Sequence, residues 1–513
     1  MSDRTARLDA LRTRTAALAM TAGEFRTIGH QLVDLLAERL AAVPDSPLTR
    51  GESPAQLREL LGGAERPLPV DGEDAGALIT SAANQLFEHS LFNGHPRFFG
   101  YITSSPAPIG MFGDFLAAAV NQNVGAWSLS PLATEIECQA VRWMAELVGF
   151  PTTAGGLFVS GGNMANFVGV LAARAASADW NVRAEGLCRG SLVLYGSAET
   201  HTWIQKAADL FGFGTNAIRW IPADAEQRMD VAALRSAIDA DRRAGLRPFM
   251  VVGTAGSVST GAIDPLDEIA AVCREHSLWF HVDGAYGAVA AGVPGVSASL
   301  RALSQADSIA VDPHKWLYAP VEAGCVLVRD PEALRRAFSY HPAYYHFDEQ
   351  VVNFFELGPQ NSRGFRALKV WLALRQVGRD GYHRMIADDM LLAEHLYERV
   401  SRHGEFEPLT QSLSITTFRY VPPDLRASLG EDATESYLDR LNRELLVAVE
   451  RGGDAFLSSA VVSGRFALRA CVVNFHTSLN DIEALLPLVS RLGREIDLAL
   501  RQEPGVAKVA AGR

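Results

Sequence analysis

Apolar residues recur three and four positions apart through "FRTIGHQLVDLLAERLAAV", residues 25–43. That spacing predicts an amphipathic helix, and the Pro/Gly-rich "PDSPLTRGESP" that follows ends it. A lone helix cannot cover its own apolar stripe, so this N-terminal arm needs the body of the protein or a second subunit to pack against. From residue 130 the punctuation becomes regular. "SPLATEIECQAVRWMAELVGF" offers Ser130 as N-cap, Pro131 in the first turn, Ile136, Ala140, Trp143 and Leu147 on one face, and Gly149 as the stop.

In "RPFMVVGTAGSVSTGAIDPLDEIAAVCREHSLWFHVDGAYG" a continuous apolar run reads as a buried strand. A Gly/Ser/Thr turn, a helix opened by Asp264-Pro265 and a second strand, "LWFHVD", complete a βαβ unit. "SIAVD" and "GCVLVRD" add two more strands, so the middle of the chain reads as a mainly parallel sheet covered by helices on both faces. Reactive groups in such sheets gather at the carboxyl ends of the strands. After about residue 380, helical "YHRMIADDMLLAEHLYERVSRHG", strand-like "LSITTFRYV" and "RFALRACVV", and a last helix suggest a smaller α+β domain. The predicted division is an arm over 1–107, a large α/β domain over 108–378 and a small domain over 379–513.

Composition narrows the function. With 513 residues, 48% of them hydrophobic, the chain is long enough for a large core. A formal net charge of -12 argues against nucleic acid and anionic bilayers as partners. No apolar run approaches the roughly 20 residues that span a membrane, and the opening residues scatter Arg and Asp where a secretory signal is apolar, so a cytoplasmic protein is expected. The five cysteines are far apart, which predicts reduced thiols rather than disulfides or a zinc site.

Two predicted strand ends deliver Asp283 and Lys315 to one side of the sheet. A half-buried amine there is a nucleophile suited to an aldehyde, and a carboxylate beside a pyridine nitrogen would keep that ring protonated as an electron sink. Alone, Lys315 reads as well as a snorkelling or ion-paired lysine, and Asp283 as a capping aspartate. Gly161-Gly162-Asn163 stand where a strand meets a helix, either a simple turn or a cradle of N–H groups for a phosphate. His201 precedes a helical pattern and could stack on a ring or satisfy a local hydrogen bond. Arg469 lies inside an apolar strand, where its guanidinium needs an anion, from the protein or from a substrate carboxylate.

"HVDGAYG" and "DPHKW" together resemble the group II pyridoxal-phosphate-dependent amino-acid decarboxylases, the family of the aromatic-L-amino-acid, histidine and glutamate decarboxylases. The likeness extends from "HPRFFGYITSS" through "SPLATEIE", "GLFVSGGNMAN", "ETHTWIQKAADL" and "GTAGSVSTGAIDP" to "GFRALKVW" and "FALRACVV". It implies an α/β protein of fold type I, like aspartate aminotransferase, working as a homodimer with pyridoxal 5'-phosphate. Position by position, it implies that Lys315 joins the cofactor covalently and that His314 helps hold its phosphate. Asp283 would pair with the pyridine nitrogen, Ala285 would lie against the ring, and His201 would stack on the other face and help place the substrate carboxylate. Thr254 would lie near the cofactor oxygen, and the amides of Asn163 and Met164 would form the phosphate loop. Tyr344, next to Tyr345, would return a proton to the substrate carbon, which favours simple decarboxylation over oxidative aldehyde formation.

Several positions depart from the pattern. Asn163 and Met164 replace small Ser or Ala, Asp312 stands where Asn or Ser is familiar, Gly125 lies near the place of a bulky aromatic, and Trp203 follows His201 where a small Ser is usual. Phe98, Phe99, Tyr101 and Trp127 resemble the aromatic-lined pocket region, although Trp127 could equally be core packing. The resemblance therefore implies decarboxylation of an aromatic L-amino acid, with Tyr101, Trp127 and Arg469 as substrate contacts. A decarboxylase of glutamate or diaminobutyrate, and an oxidative aldehyde synthase, are the alternatives.

Overall fold

A computed structural model describes residues 2–187, 190–340 and 351–503. The chain forms two compact units. One runs to Phe92 and includes Arg451–Gly453; the other runs over Asn93–Glu450 and from Asp454 onward.

In the first unit the long helix Ala22–Ala42 starts at a capping box, in which Thr21 and Glu24 satisfy each other's backbone N–H groups. It packs on helix Ala75–His89, tied by Gln31 to Thr80 at 2.9 Å and Arg39 to Asn84 at 2.8 Å. No residue of Ala22–Ala42 is fully buried; Ile28, Leu32, Leu35 and Leu36 are half-buried, so the stripe seen in the sequence is only partly covered.

The second unit is built on a seven-stranded sheet. Its strands, in chain order, are β1 (Gly155–Val159), β2 (Leu192–Ser197), β3 (Ile218–Ile221), β4 (Arg247–Thr254), β5 (Trp279–Asp283), β6 (Ser308–Val311) and β7 (Gly324–Val328). Their spatial order is β1-β7-β6-β5-β4-β2-β3. β7 runs antiparallel to both of its neighbours and every other pairing is parallel. The other six strands therefore point the same way. Every residue of β2, β6 and β7 is buried, as expected of strands covered on both faces.

A second, antiparallel sheet has the order β10-β11-β9-β8, from β8 (Phe406–Ser412), β9 (Ile415–Tyr420), β10 (Ser458–Val462) and β11 (Arg465–Cys471). Helix Ala367–Arg402 packs against β8 and β9 and is interrupted at Gly378, whose φ of 68° a residue with a side chain rarely adopts. Among the described residues no helix is long and apolar enough to cross a membrane. Cys273, Cys325 and Cys471 are buried free thiols and Cys138 is a half-buried one; Cys188 lies outside the described residues.

Two local expectations change. Helix Pro131–Leu147 forms as expected, but Ser130 caps nothing with its side chain, which donates instead to the Ala126 carbonyl. Its buried face also includes Glu137, because Arg363 reaches that carboxylate inside the core. Asp264, expected to cap helix Leu266–His276, turns away from it and accepts the N–H groups of Met229 (2.7 Å) and Thr254 (2.8 Å). Burial pushes this carboxyl up to about 6. A side chain read as local punctuation thus braces the end of β4.

Candidate active site

The carboxyl ends of β1, β2, β4, β5 and β6 open on one cavity of about 300 Å³. Its walls include Asn163, His201, Thr254, Asp283, Ala285, Asp312, His314 and Lys315, eight positions that the sequence singled out on five different segments. The parallel sheet brings them together. Register places Thr254 opposite Asp283, and Asp283 opposite Ala310, five residues before Lys315.

The floor of the cavity on the β1 side is an anion cradle. Helix Gly162–Ser177 begins there, so its first N–H groups lack intrahelical partners. Gly161 has φ 138°, which a residue with a side chain rarely adopts, and a Cβ built on Gly324 would meet the Gly161 backbone at 2.3 Å, so glycine is required at both positions. Behind the cradle runs a chain of buried hydrogen bonds. Trp279 Nε1 donates to Ser308 Oγ (2.8 Å), which lies 2.7 Å from His281 Nδ1; His281 Nε2 lies 2.7 Å from Asn166 Oδ1, and Asn166 Nδ2 donates to the Gly162 carbonyl (2.9 Å). Burial lowers His281 to about 4, so the imidazole is neutral and the chain adds no charge. Asp312 accepts the Gly162 N–H with Oδ2 at 2.8 Å, and its Oδ1 stands 2.8 Å from His314 Nδ1. One oxygen of the acid is thus taken up by the cradle's own backbone, while Oδ1 has no hydrogen-bond partner among the described residues, since His314 Nδ1 accepts the Ala323 N–H.

Lys315 is half-buried on the loop after β6. That loop is held firmly: Lys315 N–H donates to the Asp312 carbonyl (2.9 Å), and Ser104 Oγ donates to the His314 carbonyl (2.9 Å). Just beyond, Trp316 Nε1 and Tyr318 OH both donate to Asp389 Oδ2, at 2.8 and 2.7 Å. Trp316 also stacks on Tyr286, a cavity-wall residue, with ring centroids 4.8 Å apart.

Asp283 is 7% exposed; its Oδ1 accepts the Ala285 N–H at 3.2 Å and its Oδ2 the Trp203 indole N–H at 2.6 Å. His201 Nδ1 accepts the Trp203 backbone N–H (3.2 Å), which leaves the proton of the neutral ring on Nε2. Burial lowers the His201 pKa, with the Asp283 anion opposing and the Lys315 cation adding to the shift. Thr254 Oγ1 is buried without a hydrogen-bond partner among the described residues.

Other candidates lie elsewhere. Met164 packs among core side chains beside Phe167, so only its main chain is near the cradle. Phe98 stacks on Phe456, Phe99 is core, Trp127 donates its indole N–H to Glu135, and none of these side chains lines the cavity. Tyr101 is exposed beside Ile102, which does line it. Arg469 is buried; its Nη1 donates to the Tyr101 carbonyl and Ser458 Oγ (both 3.0 Å), while Nε and Nη2 have no hydrogen-bond partner among the described residues. Gly125 has no room for a side chain, because a Cβ would meet the Asn361 carbonyl oxygen at 2.2 Å. Tyr344 and Tyr345 lie outside the described residues. Asn166, Tyr286 and Val258 line the cavity without having been singled out, and the one sequence cue was their place within the motifs that carry the other residues.

A cradle of amides, an amine, a buried carboxylate, a flat imidazole and an unpartnered hydroxyl around one cavity fit the phosphate, aldehyde, ring nitrogen, ring face and phenolic oxygen of pyridoxal phosphate. Comparison with known proteins points the same way. Residues 54–421 match the family model described as the pyridoxal-dependent decarboxylase conserved domain. An aromatic-L-amino-acid decarboxylase of Bacillus atrophaeus is 32% identical over 487 residues, 94% of this chain and 98% of the relative. The crystal structure of mouse CSAD superposes with a TM-score of 0.87 at 26% identity, covering 92% of this chain and 99% of that one. That of Oryza sativa TDC with PLP and tryptamine gives 0.86 at 28% identity, covering 94% and 100%.

Proposed function

Since the chain belongs to the pyridoxal-dependent decarboxylases, carboxy-lyases that use pyridoxal phosphate, we propose that its substrate is an aromatic L-amino acid, released as the amine and carbon dioxide. The observation that carries the choice of side chain is the charge of the cavity wall. Apart from its histidines, Lys315 is the one cationic side chain among the described lining residues, and Lys315 is committed to the cofactor. The γ-carboxylate of a glutamate would find no partner there and would lose its hydration uncompensated. Ile102, Val258, Tyr286 and the His201 ring suit an apolar, flat side chain instead. The aromatic-L-amino-acid decarboxylase among the relatives supports the same choice.

Bound pyridoxal phosphate supplies the electron sink for the bond broken at the α-carbon. The residues around it divide the remaining work. Lys315 would provide the amine that holds the cofactor. Asp283 would keep a proton on the ring nitrogen, Thr254 Oγ1 would gain the partner it lacks, and the amides of Gly162 and Asn163 with His314 would hold the phosphate. His201 would cover the ring and help place the substrate carboxylate beside it. Arg469 lines no part of this cavity, and its Nη1 is engaged by the Tyr101 carbonyl and Ser458 Oγ, so no substrate contact is proposed for it. Tyr344 is assigned the return of the proton to the substrate carbon.

We assign the working form as a homodimer. Val33 and Leu40 on the arm helix, and Phe112, Leu116 and Val120 on helix Pro108–Val120, are exposed apolar side chains on regular faces. Faces of this kind mark association surfaces.

The test is turnover of a mixture of L-amino acids with added pyridoxal phosphate, read by mass spectrometry. Tryptamine, tyramine or phenethylamine as the main product supports the proposal. γ-Aminobutyrate or diaminopropane as the main product overturns the substrate class, and an aldehyde with hydrogen peroxide overturns simple decarboxylation.

A further inference from the structure

Trp203 does two things at once in the cavity wall. Its main-chain N–H binds His201 Nδ1, and its indole N–H binds Asp283 Oδ2. The residue therefore ties together the imidazole assigned to one face of the cofactor ring and the carboxylate assigned to its nitrogen.

The indole is well placed to hold a fixed direction. Trp203 is the first residue of helix Trp203–Leu210, is 1% exposed, and shares the buried face with Ile204, Ala207 and Ala208. Its ring stands edge-on to His281, with centroids 5.8 Å apart at 77°, and His281 is itself held by Ser308 and Asn166. The carboxylate it meets has less intrinsic definition, because the terminal torsion of aspartate is broad. The Ala285 N–H on Oδ1 is long at 3.2 Å, and the 2.6 Å bond to Oδ2 is the tighter constraint. A hydrogen bond to a charged acceptor is also stronger than one between neutral groups.

We propose that Trp203 is a positioning residue: its indole N–H sets the plane of the Asp283 carboxylate so that a lone pair faces the cofactor ring nitrogen. The inference rests on the assignment of Asp283 to that nitrogen and is independent of which amino acid is the substrate.

The experiment separates this role from packing by changing the cofactor as well as the residue. Dissociation constants of pyridoxal phosphate and of 1-deazapyridoxal phosphate, in which carbon replaces the ring nitrogen, are measured by absorbance titration of the cofactor-free full chain. Native protein and Trp203→Phe are compared. The proposal expects Trp203→Phe to weaken pyridoxal phosphate about ten- to a hundredfold, the size of a lost hydrogen bond to a charged group, and to leave the deaza analogue within about twofold. An equal loss with both compounds means that Trp203 acts by packing, and no loss with either means that the indole contact is idle; each overturns the proposal. If the native protein binds both compounds equally, the Asp283 assignment itself fails and the proposal falls with it. Should Trp203→Phe not fold, benzothienylalanine at position 203, nearly isosteric with tryptophan and lacking only the N–H, gives the same four outcomes.

Discussion

Thr254 and Asp283 are register partners on adjacent parallel strands, so a hydroxyl and a carboxylate enter the cavity side by side from β4 and β5. Their surroundings differ. Asp283 has both oxygens engaged, whereas Thr254 Oγ1 is buried with no partner among the described residues. A buried hydroxyl left unpaired costs about 1–3 kcal/mol. Thr254→Val should therefore raise the thermal midpoint of the cofactor-free protein while weakening pyridoxal phosphate about five- to twentyfold, the value of a single hydrogen bond. A variant that binds the cofactor as well as the native chain would show that the hydroxyl serves something else.

Asp312→Asn tests the acid beside the cradle. Its Oδ2 accepts the Gly162 N–H, a bond that an amide oxygen can keep, and the contact with His314 is an ion pair only while the imidazole is protonated. Removing a negative charge near a phosphate should leave cofactor affinity equal or tighter, as measured by equilibrium dialysis. A tenfold weakening would mean that the carboxylate's charge is needed to keep His314 in place.

Asp389 anchors Trp316 and Tyr318, and burial pushes its carboxyl from an ordinary 3.8 up to about 7. The folded state thus keeps this proton to higher pH than the unfolded chain does. The charge costs stability progressively as pH rises through that window, and nothing below it. Asn can accept both hydrogen bonds through its carbonyl oxygen and never ionises. The melting temperature of Asp389→Asn minus that of the native protein should therefore grow between about pH 4 and pH 7 and then level off. A difference that is flat with pH would contradict the raised value. Comparing the two proteins cancels the opposite trend from His281, whose lowered value makes the fold lose stability as pH falls from its ordinary 6.5 toward about 4.

Arg363 and Glu137 form an ion pair in which the side chains are 1% and 0% exposed. Arg363 also donates to the carbonyls of Val124 (2.8 Å) and Phe158 (2.7 Å), which ties the loop before helix Pro131–Leu147 to β1. Arg363→Met strands a buried carboxylate and should cost about 3–5 kcal/mol in denaturant unfolding. The double variant Arg363→Met, Glu137→Gln should recover part of that loss. If the single variant costs under about 1 kcal/mol, the pair lies nearer water than its burial indicates.

The central sheet was readable because its strands are continuous apolar runs bounded by Gly, Ser and Asp, and because a parallel sheet collects chemistry at one edge. Asp283 and Lys315 could be placed together on that ground alone. Contacts made across long sequence separation were not readable. Nothing near residue 264 announces that Asp264 braces Thr254 rather than capping a helix, and nothing near residue 137 announces an arginine 226 residues away. Trp203 was visible as an oversized residue after His201, but its partner lies 80 residues on, and only the fold aims the indole at Asp283 rather than at a substrate. Phe98 and Phe99, taken up because they resemble an aromatic-lined pocket region, pack instead against Phe456 and in the core around the second sheet.

Every role proposed for the cavity residues depends on Lys315 being the amine that carries the cofactor. Borohydride reduction of the holoenzyme, followed by proteolysis and peptide sequencing by mass spectrometry, should find the pyridoxyl phosphate group on Lys315, and none should be retained by Lys315→Ala after the same treatment. A modified lysine at any other position, or an unmodified Lys315 in protein that turns over substrate, would contradict it.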